Sequence, residues 1–427
     1  MLSNLLQTVY NLVDMAVVGQ YVGAAGLSAV SIGGELIHIY TFLAMGFCNA
    51  GQIMISQYIG LHDEKSVSQT VGMLFTFMAG LSIIITAVGI CFNDIFLGWL
   101  NVPADAYAQC LAYTMCCTAG TVFMCGYQLI GAVLRGMGDS KHPMVFIAIA
   151  AVINIILDII LVSRGMGAFG AALGTVIAQG ISLILSICFL FRHRAEFGFD
   201  FRLTSFLPPR KKLTLLLKLG IPLTLQSSAV SVSMMVVMGY INLYGVVASA
   251  VTGVGFKISS VTSVVTQALG QAGGTMVGQN FVAGKFERVK KIQIASYAIG
   301  LCFASILSAT IFLWPENVFA IFDDSADVLA MSREYAPVAV LNIFGFALRA
   351  PGLALCNGLG FAAMNFALGM LDGVVLRIGL SVLLGSFLGF GIYGFWYGSA
   401  MAGTTFFFAM FPYLLSGRWQ KRKPPTA

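Results

Sequence analysis

The feature that most limits the fold is a long series of apolar stretches separated by short polar segments. Each stretch reaches the length of about 20 residues that a helix needs to cross a bilayer. Strands of a membrane barrel would instead alternate in polarity over about ten residues. We therefore predict an all-α polytopic membrane protein with twelve transmembrane helices, near residues 2–22, 29–57, 67–92, 107–133, 142–163, 168–191, 213–241, 246–279, 290–313, 333–356, 361–386 and 390–416.

The composition indicates contact with the lipid bilayer along most of the chain. Hydrophobic residues make up 58% of it and charged residues only 9%, whereas soluble domains carry roughly 25% charged residues. The nine cysteines lie mostly in apolar stretches and form no C-x-x-C pair, so neither a disulfide framework nor a zinc site is expected. We predict no cofactor, and no sequence motif supports a membrane enzyme.

The distribution of basic residues predicts the orientation in the membrane. Most of the 23 Lys and Arg residues follow even-numbered spans or lie in the C-terminal tail. Because cytoplasmic loops are enriched in Lys and Arg, we expect both termini in the cytoplasm and the chain in the cell membrane. This topology explains the net charge of +6, and no nucleic-acid partner is predicted.

The two halves of the chain resemble each other. The pattern A-G-x-x-M-x-x-Q at 50–57 recurs at 272–279, and G-x-x-G-x-x-x-G at 167–174 recurs at 391–398. Six spans in each half give both halves the same orientation, which is a parallel repeat. We predict three segments, namely an N-terminal six-helix lobe at 1–191, a cytoplasmic linker at 192–212 and a C-terminal six-helix lobe with a short basic tail at 213–427.

Carboxyl and amide side chains lie within two of the predicted spans. On span 1, Gln7, Asn11 and Asp14 follow i, i+4, i+7 spacing and share one helix face. On span 5, Asn154 and Asp158 are four residues apart and also share a face. A carboxylate inside a membrane is costly and is usually kept for handling an ion, a proton or a substrate. These groups could coordinate Na⁺ or exchange a proton.

Further polar residues are assigned to the same region of the protein. Thr175 on span 6 could add a hydroxyl to the cation or proton site. A cavity between the two six-helix bundles is the expected substrate site. We assign Gln7, Tyr10 and Gln128 to that cavity.

The second half departs from the first at the acidic positions. Ser233 stands where Asp14 stands in the first half, and span 7 contains no acid. Span 11 carries Asp372 and Arg377, which are five residues apart. Residues at that spacing do not share a face of an α-helix, so we expect each of them to have another partner.

Two G-x-G-x-x-G sequences, at 165–170 and 389–394, match the pattern of a dinucleotide site. Such a site requires a preceding strand, a following helix and an acidic residue further along the chain. Here long apolar spans flank both copies. We therefore predict that these glycines form tight turns between spans 5 and 6 and between spans 11 and 12.

Five motifs of the first half are jointly specific, although each is weak alone. They are Q-T-V-Y-N-L-V-D-M-A-V-V-G at 7–19, A-G-Q-I-M-I-S-Q-Y-I-G at 50–60, L-R-G-M-G-D at 134–139, N-I-I-L-D at 154–158 and G-A-F-G-A-A-L-G-T at 167–175. In these motifs and in its two sets of six spans, the chain resembles the multidrug and toxic compound extrusion (MATE) family. It is similar to the DinF-like bacterial branch of that family.

The resemblance implies both an architecture and an activity. It implies two six-helix lobes arranged as a V around a cavity. It also implies efflux of organic, cationic and hydrophobic small molecules, driven by H⁺ or Na⁺. On this resemblance, Asp14 with Asn154, Asp158 and Thr175 forms the cation or proton site of the first lobe.

Other functions remain open from the sequence. A lipid-linked precursor flippase of the same superfamily has the same number of helices, but it would need a basic cavity for a diphosphate headgroup. Lys257, Arg349 and Arg377 are the basic candidates within the spans. A passive channel is disfavoured, because a repeat with a few buried acids favours alternating access. We expect a monomer.

Overall fold

The computed structural model describes residues 13–14, 17–100, 102–194, 199–200, 202–207, 209–323 and 325–426. Every regular element within them is helical. The helices of the first half are α1 (Ala24–Gly60), α2 (Glu64–Cys91), α3 (Asn93–Trp99), α4 (Ala104–Ala119), α5 (Thr121–Met137), α6 (Lys141–Leu161), α7 (Gly167–Arg192) and α8 (Leu203–Phe206).

The later helices are α9 (Arg210–Asn242), α10 (Val246–Val282), α11 (Phe286–Leu313), α12 (Pro315–Phe319), α13 (Ala326–Gly358), α14 (Ala362–Met370), α15 (Gly379–Val382), α16 (Gly391–Ala402) and α17 (Thr405–Leu415). Short π-helical segments interrupt the α-helices at Val162–Met166, Leu371–Ile378 and Leu383–Phe387. A 3₁₀ turn at Arg418–Lys421 follows the last α-helix.

The long helices have the length and apolarity of membrane spans. Among the described residues, nine continuous stretches meet both criteria, and α4 with α5, bent by 51° at Gly120, makes a tenth. One of the nine, Lys141–Arg192, contains two spans. Its halves pack antiparallel, because the Ser182 hydroxyl on α7 donates to the Phe146 carbonyl on α6 at 2.9 Å, while Asn154, later on α6, contacts Thr175, earlier on α7. The predicted all-helical membrane architecture is confirmed, while span 1 falls mostly outside the described residues.

The first two glycines of each G-x-G-x-x-G sequence lie in a turn. Gly165 and Gly167 have φ of 86° and 59°, and Gly389 and Gly391 have φ of 73° and 58°. Glycine adopts these left-handed conformations without the steric penalty that a Cβ imposes. The predicted turns are confirmed, and each one joins two membrane helices.

The chain divides into two compact units, the first ending at Gly220 and the second beginning at Ile221. We call these units the first and second lobes. In the first lobe, small and apolar side chains of α1, α4 and α7 form a buried core. In the second lobe, the Trp396 indole donates to Thr252 Oγ1 at 2.8 Å and meets the Tyr335 ring edge-on. Each lobe therefore has a core of its own.

The described part of the predicted linker is attached to α2 of the first lobe. Thr76 Oγ1 donates to the Phe206 carbonyl at 2.7 Å. The hydroxyls of Ser68 and Ser205 each donate to Asp200 Oδ1 at 2.8 Å. Hydrogen bonds to a charged acceptor are worth about 1.5–3 kcal/mol each, so these contacts hold the segment against the helix.

Asp372 and Arg377 each have a further partner, as expected, in Arg349 and Ser399, but the prediction that they do not share a helix face was wrong. Arg377 Nη2 donates to Asp372 Oδ1 at 3.0 Å. Both residues lie in the π-helix Leu371–Ile378, whose i to i+5 hydrogen bonds bring residues five apart onto one face. Arg349 on α13 approaches the same carboxylate, with Nη1 at 3.3 Å from Oδ2.

Candidate functional site

The candidate site lies where α6 and α7 pack side by side in the first lobe. Asn154 and Asp158 are one turn apart on α6, and Thr175 faces Asn154 from α7. Gly174 allows the close approach of the two helices, because a Cβ at that position would lie 2.3 Å from Asp158 Oδ1. The fold thus brings together the three predicted site residues of spans 5 and 6.

Asn154 connects the carboxylate to the hydroxyl. Its Nδ2 lies 3.3 Å from each carboxylate oxygen of Asp158 and 3.3 Å from Thr175 Oγ1. The side chain of Asp158 is fully buried, and Asn154 is 3% exposed. A neutral amide donor does not offset a full buried charge. The site therefore calls for a proton or a cation on the carboxylate.

Asp14 supplies the second carboxyl group of the site. It is buried and lies close enough to Asp158 for the two carboxyl groups to interact. Two carboxyl groups bond to each other only when they share a proton, and two ionised ones repel. A proton or a cation between Asp14 and Asp158 removes that repulsion.

Two buried oxygen atoms of the site lack a hydrogen-bond donor among the described residues. Asp14 Oδ1 and Asn154 Oδ1 are buried, and no described residue donates a hydrogen bond to either. Buried acceptors are normally satisfied, and carboxylate and amide oxygens are the ligands that hard cations prefer. The arrangement can therefore hold a small cation or exchange a proton.

A narrow cavity of about 20 Å³ adjoins the site. A cavity of this size holds about one water molecule, so it admits a small cation or a water but not an organic substrate. Its lining residues are Tyr127, Ile147, Ala150, Asn154, Thr175, Ala178 and Gln179.

Two polar residues of this lining were not identified from the sequence. Gln179 follows Thr175 by four residues, so helical spacing alone places both on one face of α7. Tyr127 lies on α5 and had no comparable signal in the sequence. Its neighbour Gln128, assigned to the substrate cavity, is partly exposed. The other predicted residues of span 1, Gln7, Tyr10 and Asn11, lie outside the described residues.

We expect Gly174→Ala to impair transport more than stability. The new Cβ would meet Asp158 Oδ1 at 2.3 Å, and a side-chain oxygen can rotate away more easily than backbone can move. The displaced carboxylate would then bind the cation poorly, and efflux of a fluorescent organic cation from cells should fall at least about fivefold. Gly80→Ala on α2 is the matched control, because nothing lies within 4 Å of its Cβ position. Equal efflux by both variants would contradict this role of Gly174.

A repeated helical membrane protein with a buried carboxyl pair has the construction of a secondary transporter. The MatE family model matches residues 1–160 and 222–383. The chain belongs to this family of transporters, as its motifs predicted. The two matched segments correspond to the two repeated halves of the sequence.

Similar proteins cover nearly the whole chain. The probable multidrug resistance protein YpnP of Bacillus subtilis is 28% identical over 99% of this chain and 94% of its own length. The probable multidrug resistance protein NorM of Thermotoga maritima is 22% identical over 98% of this chain and 90% of its own length.

Solved structures establish the fold. The crystal structure of MATE in the bent conformation has a TM-score of 0.89 at 21% identity, over 99% of this chain and 94% of that one. The outward-facing conformation of a multidrug resistance MATE family transporter has a TM-score of 0.90 at 20% identity, with the same coverage of both chains. The fold is therefore that of a twelve-helix MATE transporter, an integral membrane protein.

Proposed function

We propose that the protein is an antiporter that exports organic, cationic and hydrophobic small molecules in exchange for H⁺ or Na⁺ by alternating access. The observation that supports this proposal is the carboxyl pair of Asp14 and Asp158, buried beside oxygen atoms that no described residue satisfies. The relatives named as multidrug resistance proteins support the class of substrate. We place the protein in the cell membrane with both termini in the cytoplasm.

Each residue of the site has a distinct role in this proposal. Asp14 and Asp158 hold the cation or proton between them, and Thr175 adds a hydroxyl. Asn154 orients the Asp158 carboxylate through its Nδ2 contacts of 3.3 Å. A cation that binds one conformation more tightly than another shifts the equilibrium between them by that difference in affinity. The cation gradient thereby drives the substrate outward.

The flippase alternative is weakened by the second lobe. A diphosphate headgroup would need unpaired basic side chains, and Arg349 and Arg377 were two of the three candidates. Both contact the Asp372 carboxylate, at 3.3 and 3.0 Å. Both arginines are thus engaged by a carboxylate within the lobe, which weakens their role as ligands of a headgroup.

The remaining parts of the proposal follow from the same mechanism. Transport through the site breaks no covalent bond, so we propose that the protein is not an enzyme and uses no cofactor beyond the coupling ion. We also propose that it acts as a monomer. We further propose that residues 1–191 and 213–427 form the two six-helix bundles, with 192–212 as a cytoplasmic linker.

The experiment that tests the antiport proposal is transport in proteoliposomes with one gradient at a time. A fluorescent organic cation is the substrate, and either a Na⁺ gradient at equal pH or a pH gradient at equal Na⁺ is imposed. We expect either the Na⁺ gradient or the pH gradient to drive the substrate in the direction opposite to the coupling ion, because Na⁺ and H⁺ would bind at the same carboxyl pair. An ionophore that dissipates the imposed gradient is the control. Transport that ignores both gradients would contradict the proposal.

A further inference from the structure

The second lobe contains a buried charged cluster that the proposed mechanism does not use. It consists of Arg349 on α13 and of Asp372 and Arg377 on the π-helix. Asp372 is fully buried and Arg377 is 3% exposed. Because Arg stays protonated in proteins, two guanidinium groups and one carboxylate give the cluster an excess of positive charge. Buried charges in membrane helices are expensive and usually functional.

The internal repeat identifies the position that this cluster occupies. In the first lobe, Gly174 lets α7 approach Asp158, where a Cβ would lie 2.3 Å from the carboxylate. In the second lobe, Gly398 lets α16 approach Ser381, where a Cβ would lie 2.5 Å from the backbone nitrogen. Gly398 is the repeat counterpart of Gly174. Ser381 is therefore the structural counterpart of Asp158.

A second pair of glycines gives the same register. A Cβ at Gly170 would lie 3.1 Å from the Leu161 carbonyl carbon, and a Cβ at Gly394 would lie 2.4 Å from that of Leu384. Leu161 and Leu384 are separated by the same number of residues as Asp158 and Ser381. The correspondence between the two helix pairs thus rests on two independent contacts.

This register pairs Asn154 with Arg377, and the glycine pattern pairs Thr175 with Ser399. The hydrogen bonds agree with the pairing. Asn154 Nδ2 lies 3.3 Å from Thr175 Oγ1, and Arg377 Nη1 lies 3.1 Å from Ser399 Oγ. A guanidinium group therefore stands where the first lobe has an amide.

The acids of the first lobe have no acidic counterparts in the second. Ser381 replaces Asp158, and Ser233 stands at the position that corresponds to Asp14. Ser233 is also close to the cluster, because a Cβ at Gly373, next to Asp372, would lie 3.3 Å from its Oγ. The first lobe thus has two carboxyl groups that call for a cation. The second lobe has hydroxyls at both of these positions, and its nearby carboxylate, Asp372, is already paired with Arg349 and Arg377.

We propose that Arg377 is a covalently attached equivalent of the coupling cation. Beside the second-lobe counterparts of the first-lobe site, it permanently supplies the positive charge that an exchangeable cation supplies in the first lobe, and it thereby restricts coupling to one site per chain. This inference rests on the proposed cation site of the first lobe.

The contacts of Arg377 show what its removal would leave. Nη1 donates to the Ser399 carbonyl at 3.0 Å and to Ser399 Oγ at 3.1 Å, and Nη2 donates to Asp372 Oδ1 at 3.0 Å. A shorter neutral side chain would free these three oxygens, which is the ligand chemistry of a hard cation site. Arg349 alone would balance Asp372, so one bound cation would restore the charge of the native cluster.

The test measures cation-dependent thermal stability of the purified full-length protein, with Na⁺ replaced by choline and with acid and alkaline buffers compared. A ligand that binds only the folded state raises Tm. We expect Asp158→Asn to lose the whole cation-dependent shift of the native protein. Asp158→Asn/Arg377→Gln should regain a shift of at least about 2 °C. Asp158→Asn/Arg377→Lys, which keeps the charge, should not.

Each result supports or overturns a specific claim. The inference is overturned if the Asp158→Asn/Arg377→Gln protein folds but its cation-dependent Tm shift is no larger than that of Asp158→Asn/Arg377→Lys. If the Gln variant does not fold, the Asp158→Asn protein still decides, because a residual cation response there would reveal an exchangeable site outside the first lobe. By contrast, a cation-dependent Tm shift that is as large in Asp158→Asn as in the native protein would count against the proposed first-lobe site itself.

Discussion

Asp158→Asn is expected to abolish cation-driven efflux and to leave the protein folded. Asparagine has nearly the same shape as aspartate but can neither bind a proton nor offer a negative charge to a cation. Coupling between two ligands is typically worth ~1–3 kcal/mol, about 5- to 150-fold, so transport should lose an enhancement of that order. Because the side chain is fully buried and removing a buried charge relieves its desolvation penalty, Tm measured without the coupling cation should not fall.

The measurement is uptake of a fluorescent organic cation by proteoliposomes, with and without the driving gradient. Asp14→Asn should give the same loss, since both carboxyls belong to one site. The matched control is Asp105→Asn, which makes the same chemical change at an exposed position. Gradient-driven uptake that persists in Asp158→Asn at the native rate would show that Asp158 does not belong to the coupling site.

Gly398→Ala is expected to destabilise the second lobe. The new Cβ would lie 2.5 Å from the backbone nitrogen of Ser381 and 2.6 Å from its Cα. Backbone cannot rotate away as a side chain can, so α16 must separate from α15. Overpacking of this kind costs about 1–3 kcal/mol, and each kcal/mol lowers Tm by about 2–4 °C in a domain of this size.

Thermal unfolding of the purified protein checks this effect, with Gly379→Ala as the matched control in the same lobe. Gly379 also lies in a helix, but nothing occupies the 4 Å around its Cβ position. Alanine exceeds glycine in helix propensity by about 1 kcal/mol, so the control should match or exceed the native Tm. Equal Tm values for the two variants would mean that α16 does not pack tightly on Ser381.

The repeat and the proximity of Asn154, Asp158 and Thr175 were predictable because their signals are local and periodic. Asn154 and Asp158 share a face at ordinary helical spacing, and the turn glycines stand between long apolar runs. Thr175 follows Gly174, whose missing side chain lets α7 reach α6. For these residues, the period of an α-helix and the steric freedom of glycine determine most of the arrangement.

The pairing of Asp372 with Arg377 was not predictable in this way. The prediction assumed about 3.6 residues per turn, and the π-helix between them changes that period locally. Arg349 reaches the same carboxylate from a different helix, which is a tertiary contact with no sequence signal. Tyr127 joins the cavity for the same reason, because the packing of α5 beside α6 and α7 decides it.

The central claim is that a cation and the exported molecule are coupled through the carboxyl pair of the first lobe. Binding of a fluorescent organic cation to the purified protein, titrated against Na⁺ and against pH, tests it most directly, because coupling in equilibrium binding is reciprocal. We expect either Na⁺ or H⁺ to weaken substrate binding to the native protein and to have no effect on substrate binding to Asp158→Asn. Native substrate affinity that is indifferent to both cations, or an equal cation effect in Asp158→Asn, would contradict the account.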